Sequence, residues 1–557
     1  MTTPQTVPWW KRAVIYQVYP RSFCDSNNDG VGDLQGVISK LDYLKSLGVD
    51  AVWLSPVYLS PNKDFGYDVA DYRAINPEFG TLGDMKQLIN EAKLRGIRLI
   101  IDLVINHTSD QHEWFQKARD PQSPYRDYYI WRKGRKGPPG KEKPPNNWTS
   151  FFTGPAWEKD TLSGEYYLHL FTKHQPDLNY DNPAVFEEIK KIITFWLDLG
   201  VSGFRCDVIN LIHKDSLHDG KRRVSAGGKE YYVSTPATHG LLQRLHDEIF
   251  IPRHAFTVGE AAFVTLDQAI DFTEGDELDM VFSFDHVRRD LPMQSRVDNF
   301  LSQTMRWQQN LPWNTIFFEN HDQPRSVSTY GNETKYPEES AKAIATLLLT
   351  LRGTPFIYQG QEIGMINTPL DDISQAKDPV THTEYDRARK SLLSRKKALA
   401  RALAIGRDAA RTPMQWSSST NAGFSKTRPW VPVHPNYKQL NVAAQEANRS
   451  SVLAFYKALI SLRKSYPVLS DGSISFKSTK GTLMAYERAT NWDAATVIVN
   501  LSSRKRRMLK TIDTTQELLL ATHHKEIRSE ALLQPYEARI YYQRSRGFTD
   551  NNRPAKS

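Results

Sequence analysis

TLGDMKQLINEAKLRGIRLIIDLVINH, residues 81–107, carries the pattern that decides the fold. Thr81 suits a helix N-cap, and Met85, Leu88, Ile89 and Ala92 recur at spacings of three and four. That spacing predicts an amphipathic helix, which Gly96 closes. Residues 99–103 follow as a short strand. The same helix, glycine and strand succession recurs from Val37 through Gly48 into 51–54, from Phe186 through Gly200 into 203–205, and from Ala343 through Gly353 into 355–358. Further strands are expected at 14–18, 256–259, 280–284 and 315–318. Most of these eight strands are apolar on both faces, as strands of a parallel sheet covered by helices are. Eight of them alternating with helices over some 360 residues predict a (β/α)₈ TIM barrel.

Two stretches break the rhythm. Residues 108–174, rich in Trp, Tyr, Pro and Gly, are expected to form a subdomain inserted after the third strand. Residues 366–437 are expected to be an irregular excursion after the eighth. The catalytic barrel then comprises 1–107 and 175–470. Alternating apolar residues over 473–476, 483–486 and 495–499 predict a C-terminal antiparallel β domain over 471–546. Residues 547–557 form a polar tail.

The chain has 557 residues, 72 Lys and Arg against 63 Asp and Glu, and a formal net charge of +9. Hydrophobic residues make up 39 %, which excludes a mainly disordered chain. No run of about 18 apolar residues predicts a membrane span, and the N-terminal residues lack the pattern of a secretion signal. Two cysteines, Cys24 and Cys206, are too few for a disulfide framework, and a cytoplasmic setting is expected. The basic clusters are scattered and carry no nucleic-acid recognition motif, so no nucleic-acid or membrane partner is expected. The positive excess reads as a surface property, most visible over 387–401. A monomer or weak homo-oligomer is expected.

In a barrel of this kind, catalytic groups stand at the C-terminal ends of strands. Those positions hold Asp102, Asn106 and His107, then Arg205 and Asp207, then Glu260, then His321 and Asp322. Carboxylates at four strand ends suit glycoside hydrolysis, which needs one as nucleophile or base and one to protonate the leaving oxygen. Arg205, two residues before Asp207 and on the same face, is expected to keep that carboxylate ionised. Glu260 follows an apolar strand, a setting that favours the proton an acid must carry.

These residues resemble the α-amylase family of glycoside hydrolases, over essentially the whole chain. DLVINH (102–107), GFRCDV (203–208), TVGE (257–260) and FFENHD (317–322) are similar to its four motifs, in their order. The resemblance implies Asp207 as nucleophile, Glu260 as acid/base and Asp322 as transition-state stabiliser. QPDLN (175–179) resembles the signature of the oligo-1,6-glucosidase group, which includes dextran glucosidases, maltases and sucrose isomerases. By the same resemblance, Tyr67 stacks on the terminal glucose and Asp64 holds its distal hydroxyls, with Phe171 and Gln175 completing the site and His107 and His321 beside it. Arg411 in RDAARTPMQW (407–416) resembles the arginine that pairs with the counterpart of Asp64. A closed pocket implies exo-action with retention, one glucose at a time. Val208 after the nucleophile implies a preference for α-1,6 links; transglucosidase, α-1,4 maltase and sucrose isomerase activities are the alternatives on the same machinery. Glu319 and the pair Ala261 and Ala262 depart from the group's pattern and are expected to border the subsite beyond the scissile bond.

DSNNDGVGD (25–33) sets oxygen ligands on alternate residues: Asp25, Asn27, Asp29, the Val31 carbonyl and Asp33. This is calcium-like spacing. Gly36 stands where an EF-hand needs its bidentate Glu, so the loop is no EF-hand; the resemblance implies a structural Ca²⁺, with Mg²⁺ as an alternative occupant.

Overall fold

In the computed structural model, residues 7–137, 141–287, 291–523 and 531–544 are described; the expected tail at 547–557 lies outside them. The eight expected strands all form: β1 Ile15–Val18, β2 Ala51–Leu54, β3 Arg98–Val104, β4 Gly203–Asp207, β5 Phe256–Glu260, β6 Met280–Phe282, β7 Thr315–Ile316 and β8 Thr354–Tyr358. They make one parallel sheet in the order β6-β5-β4-β3-β2-β1-β8-β7, nearly closed into a barrel. At the seam between β6 and β7 the Thr315 hydroxyl donates to the Val281 carbonyl at 2.7 Å, so a side chain stitches the edges.

Alternation along each strand explains how the barrel presents its chemistry. Inward positions run from apolar to polar as the strands rise: Ile15 then Gln17, Ile100 then Asp102, Gly203 then Arg205 then Asp207, and Phe256 then Val258 then Glu260. The lower residues join Trp10, Trp53, Phe282, Phe317 and Phe356 in a closed aromatic core. Register sets Arg205 opposite Asp102 on β3 and opposite Val258 on β5.

The helices follow the expected units with two differences. Helix α1 (Leu34–Ser39) and helix α2 (Leu41–Leu47) replace the single helix expected up to Gly48: Asp33 caps the first, and the chain turns at Lys40. Helix α3 (Leu82–Leu94) opens on a Thr81–Asp84 capping box, and α4 (Pro183–Leu199) ends at Gly200 in the left-handed conformation that glycine tolerates without strain. Helix α5 (Pro337–Thr350) packs under β8. The 366–437 excursion is not irregular throughout. It contains a helical hairpin, α6 (Pro379–Lys390) and α7 (Arg395–Ile405), capped by the side chains of Asp378 and Ser394. Its Arg, Lys, Ala and Leu content favours helix, but few apolar positions mark a buried face.

Between strands three and four, Trp131–Arg132, Trp157–Lys159 and Tyr166–Leu168 form a small antiparallel sheet. The C-terminal sheet has five strands, β9 (Ser473–Lys480), β10 (Leu483–Ala489), β11 (Asp493–Asn500), β12 (Glu517–Ala521) and β13 (Ala538–Arg544), ordered β9-β10-β11-β13-β12 and antiparallel.

The positive charge is not confined to the surface. Arg205, Arg325, Arg411, Arg463, Arg488 and Arg539 are among the largest fully buried side chains. Arg488 of β10 donates to the carbonyls of Thr350 (2.7 Å), Leu469 (2.8 Å) and Gly472 (2.7 Å). Arg463 donates to those of Leu349 (3.1 Å), Leu469 (3.0 Å) and Gly353 (2.5 Å). Two of these acceptors, Leu349 and Thr350, are orphan carbonyls at the C-terminus of α5, where a cation also complements the helix dipole.

Candidate active site

Arg205 is the hub of the rim. Its Nη1 donates to Asp102 Oδ1 (2.6 Å) and Asp207 Oδ1 (2.5 Å), and its Nη2 to Glu260 Oε2 (2.6 Å). Trp53 Nε1 donates to the other Asp102 oxygen at 2.7 Å. Three carboxylates therefore share one cation in a space nearly closed to solvent. Burial pushes Asp102 up to about 6 and raises Asp207 well above the usual carboxylate range, with Glu260 and Asp102 adding like charge. Arg205 opposes this, its guanidinium being bonded to all three carboxylates. A nucleophile must be ionised, so the acid limb of kcat/KM should lie above the ordinary carboxylate value of about 4, as an apparent value of the whole cluster. A pH–rate profile checks this; a limb at or below pH 4 would sink it.

Asp322 stands in the opposite environment. Burial works against its charge, yet His321, Arg407 and Arg411 together hold it well below the usual range. His321 is pushed down to about 3 by burial and is neutral. Gln17 Nε2 lies 2.7 Å from His321 Nδ1, which leaves the ring proton on Nε2, 2.7 Å from the Tyr67 hydroxyl and 3.2 Å from Asp322 Oδ2. Tyr67 stacks on His321 with ring centres 5.4 Å apart, which fixes the phenol ring upright.

The expected partner of Asp64 is corrected. Arg407, not Arg411, pairs with Asp64 (Nη2 to Oδ1, 2.8 Å) and also approaches Asp322 Oδ1 at 3.4 Å. Asp378 fixes Arg407 from behind, accepting from Nε at 3.0 Å and Nη2 at 2.7 Å. Arg411 instead donates to Asp322 Oδ1 (2.7 Å) and the His321 carbonyl (2.8 Å). The helical hairpin explains the exchange, because its two feet, Asp378 and Arg407, meet at the pocket wall. Asp64 also accepts from Gln175 Nε2 (3.3 Å), which reaches His107 Nε2 at 3.1 Å, and the His107 ring packs against Phe171 at 5.1 Å. Asp64, Tyr67, His107, Phe171, Gln175, Asp322 and Arg407 thus form one connected wall.

Val208 adopts φ +36°, ψ 39°, a left-handed conformation that is costly for a β-branched residue. Its N–H lies 3.3 Å from Glu260 Oε2, so the strained turn aims a donor at the expected acid. Behind the rim, the buried Lys214 ammonium bonds Asp177 (2.7 Å) and Asn106 Oδ1 (3.0 Å), tying the inserted segment to the end of β3. No motif in the sequence marks Lys214, Asp378, Trp53 or Gln17; Arg407 opens the 407–416 motif, whose later arginine, Arg411, was expected to make the pair. Glu319 is buried and accepts from Arg325 Nη1 (3.0 Å) and the Ser326 N–H (2.7 Å). It braces the loop after β7, its carboxylate taken up by Arg325 and Ser326. Ala261 is buried, while Phe263 is half exposed and stacks on Phe151 at 5.6 Å.

In the 25–33 loop, Asp25 accepts the N–H groups of Asn28 (2.6 Å) and Gly30 (2.9 Å), Asp29 that of Val31 (2.8 Å), and Asp33 those of Ser26 (2.8 Å) and Gly36 (2.7 Å). The donor set is all oxygen and suits a hard cation. Its carboxylates, however, are turned onto the loop's own backbone. No group of three or more His, Cys, Asp or Glu among the described residues is gathered to hold a metal ion.

A TIM barrel with three carboxylates gathered on one guanidinium at its strand ends, beside a wall of aromatic and polar side chains, has the chemistry of a glycoside hydrolase. The chain belongs to the α-amylase family: residues 17–472 match the model of the α-amylase catalytic domain. It is 46 % identical to an oligo-1,6-glucosidase of Parageobacillus thermoglucosidasius, over 96 % of this chain and 98 % of that protein. It is 44 % identical to a trehalose-6-phosphate hydrolase of Escherichia coli (strain K12), over 89 % and 91 %. The crystal structure of a trehalulose synthase from Pseudomonas mesoacidophila MX-45 superposes with a TM-score of 0.90 at 40 % identity, covering 96 % of this chain and all of that one. The protein is a glycoside hydrolase of the α-glucosidase kind that acts on oligosaccharides. No helix among the described residues is long and apolar enough to cross a membrane.

Proposed function

We propose that the protein is an exo-acting, retaining α-glucosidase that releases glucose from the non-reducing end of short α-1,6-linked glucosides. The observation that carries this reading is the hydrogen-bonded wall in which Arg407 and Gln175 both hold Asp64, the kind of end that a site for one terminal glucose needs. Asp207 attacks the anomeric carbon while Glu260 protonates the leaving oxygen; water then releases glucose with the roles of Glu260 reversed. Asp207 and Glu260 grip neighbouring nitrogens of one guanidinium. Such a shared fork suits the spacing of about 5 Å for a nucleophile and acid/base better than the wider gap that seats a water. Asp322, held anionic by two arginines, stabilises the oxocarbenium-like transition state.

Val208 supports the α-1,6 preference by narrowing the aglycone side, and the relatives named oligo-1,6-glucosidase support it too. Incubation with isomaltose, maltose, sucrose and a dextran oligosaccharide, with the anomer of the product followed by NMR, tests the reading. Isomaltose turnover above that of maltose and release of α-glucose are expected. Maltose turnover far above that of isomaltose removes the linkage preference, and isomerised sucrose as the main product favours the isomerase alternative. Val208→Ala is expected to shift the isomaltose-to-maltose ratio of kcat/KM towards maltose by about tenfold, the scale of a few methyl groups in a pocket; an unchanged ratio overturns the role of Val208.

A structural Ca²⁺ or Mg²⁺ in the 25–33 loop belongs to the same reading, with Asp25, Asn27, Asp29, the Val31 carbonyl and Asp33 as ligands. Binding requires the carboxylates to lend lone pairs not used by backbone N–H groups. Chelation is expected to lower Tm by several degrees, restored by Ca²⁺; an unchanged Tm argues for a loop held by its own hydrogen bonds. The two cysteines are buried and free, which fits the reducing cytoplasm.

A further inference from the structure

We propose that the tip of the helical hairpin α6–α7 is a docking surface for an anionic lipid bilayer, with Leu392 entering the bilayer and the cations around it holding the headgroups. The sequence from Arg387 to Arg407 contains no acidic residue. The fold brings the ends of the two helices together at the turn 391–394, which gathers Lys390 of α6 and Arg395, Lys396, Lys397 and Arg401 of α7 about one apex. All five are exposed. Arg387 pairs with Glu384 at 3.1 Å and Arg389 donates to the Leu393 carbonyl at 2.5 Å, but none of the five makes an ion pair among the described residues. Arg395 acts on Asp372 without bonding it.

Local preferences work against this arrangement. Basic side chains at the end of α6 suit its dipole, but Arg395, Lys396 and Lys397 fill the first turn of α7, where they oppose it and no acidic residue stands. Leu392 has φ +62°, a left-handed conformation that a leucine rarely adopts. Its side chain is 93 % exposed, the most among the exposed large hydrophobic residues, whereas Ala388, Ala398, Leu399 and Ala402 face inward. A negative surface relieves both the mutual repulsion and the dipole, and an apolar phase behind that surface takes the leucine. An anionic bilayer supplies both; a nucleic acid meets only the first need.

The hairpin holds this apex clear of the reaction. Its feet, Asp378 and Arg407, bond each other at the pocket wall, and the 12 residues of α6 set the apex about 18 Å further along. Docking therefore uses no residue of the catalytic site. It needs no spanning helix, and it departs from the expectation that the scattered basic clusters have no membrane partner. A contact made of several cations and one leucine is reversible and sensitive to salt. The surface stands independently of the α-1,6 reading above.

Flotation of the full chain with vesicles tests this. Vesicles of phosphatidylcholine and phosphatidylglycerol in equal parts are expected to carry the protein at about 0.05 M salt and to release it at about 0.5 M, where surface charges are screened within a few Å. Vesicles of phosphatidylcholine alone should carry none. Lys396→Glu combined with Lys397→Glu should cut the bound fraction about tenfold or more, and Leu392→Ser several-fold at unchanged charge. Both variants should stay within twofold of the parent in kcat/KM for isomaltose. No flotation with the anionic vesicles, or flotation indifferent to both variants, overturns the proposal. A bound fraction that falls with the lysine changes but not with Leu392→Ser also overturns it, and polyuridylate binding that follows the same lysines then makes the apex a general polyanion site.

Discussion

Asp207→Asn is expected to fold with an unchanged Tm and to lose on the order of ten-thousand-fold or more in kcat/KM, the scale on which removal of a covalent nucleophile acts. The amide oxygen can still accept from Arg205 Nη1, which now bonds Asp207 Oδ1 at 2.5 Å, so the cluster keeps its geometry. It also relieves one of three like charges on a single guanidinium, which is why no loss of stability accompanies the loss of rate. Steady-state kinetics on isomaltose together with a melting curve check both halves. Activity within tenfold of the parent would assign the nucleophile elsewhere; a collapse of Tm would make the lost rate a folding effect.

Arg205→Met is the largest expected stability change. It strips the cation from Asp102, Asp207 and Glu260, all bonded to it at 2.5–2.6 Å, and leaves the carboxylates in a site closed to water. Breaking such a pair by removing one partner costs about 3–5 kcal/mol. The cost depends on pH with a definite sign. A carboxyl whose folded value is raised, as Asp102 is to about 6, binds its proton more tightly in the folded chain, so its contribution to stability is present at low pH and lost as pH rises through 6. The deficit of the variant should therefore be larger at pH 7.5 than at pH 5, where protonation neutralises the cluster. Urea unfolding at the two pH values decides it; an equal deficit at both would mean that lost packing, not uncompensated charge, is the cause.

The barrel was legible because its signal is local and repeated. Thr81, Met85, Leu88 and Gly96 each name a position in a helix that later carries that part. The polar residues at strand tops were legible for a related reason: period two sends every second residue inward, so Arg205 and Asp207 had to share a face. Long-range partners were not legible. Arg407 and Arg411 lie on one short turn, and only the closure of the hairpin 379–405 determines which of them reaches Asp64. The pairing of Glu319, which adjoins Asn320, His321 and Asp322, with Arg325 was likewise not legible, because it depends on how the loop after β7 folds back. The helices of the hairpin bury mostly small or polar positions, Thr381, Glu384, Ala388, Ala398, Leu399 and Ala402, and the location of a buried cation such as Lys214 depends on which carbonyls and carboxylates the fold has left without partners.

The arginines behind β10 bear on how the chain can be taken apart. Arg488 belongs to the C-terminal sheet, yet the carbonyl of Thr350 that it satisfies closes a barrel helix. Tyr486 of the same strand shares a hydrogen bond with the Thr350 hydroxyl at 2.5 Å. A truncation after residue 470 would uncover both the helix end and the apolar face of β10 and β11, where Met484, Val497 and Val499 are buried. The sheet is accordingly not an exchangeable accessory. Barrel and sheet should melt as one cooperative unit, and a graft that swaps this sheet for a relative's must carry its matching arginine or repair the carbonyls it abandons.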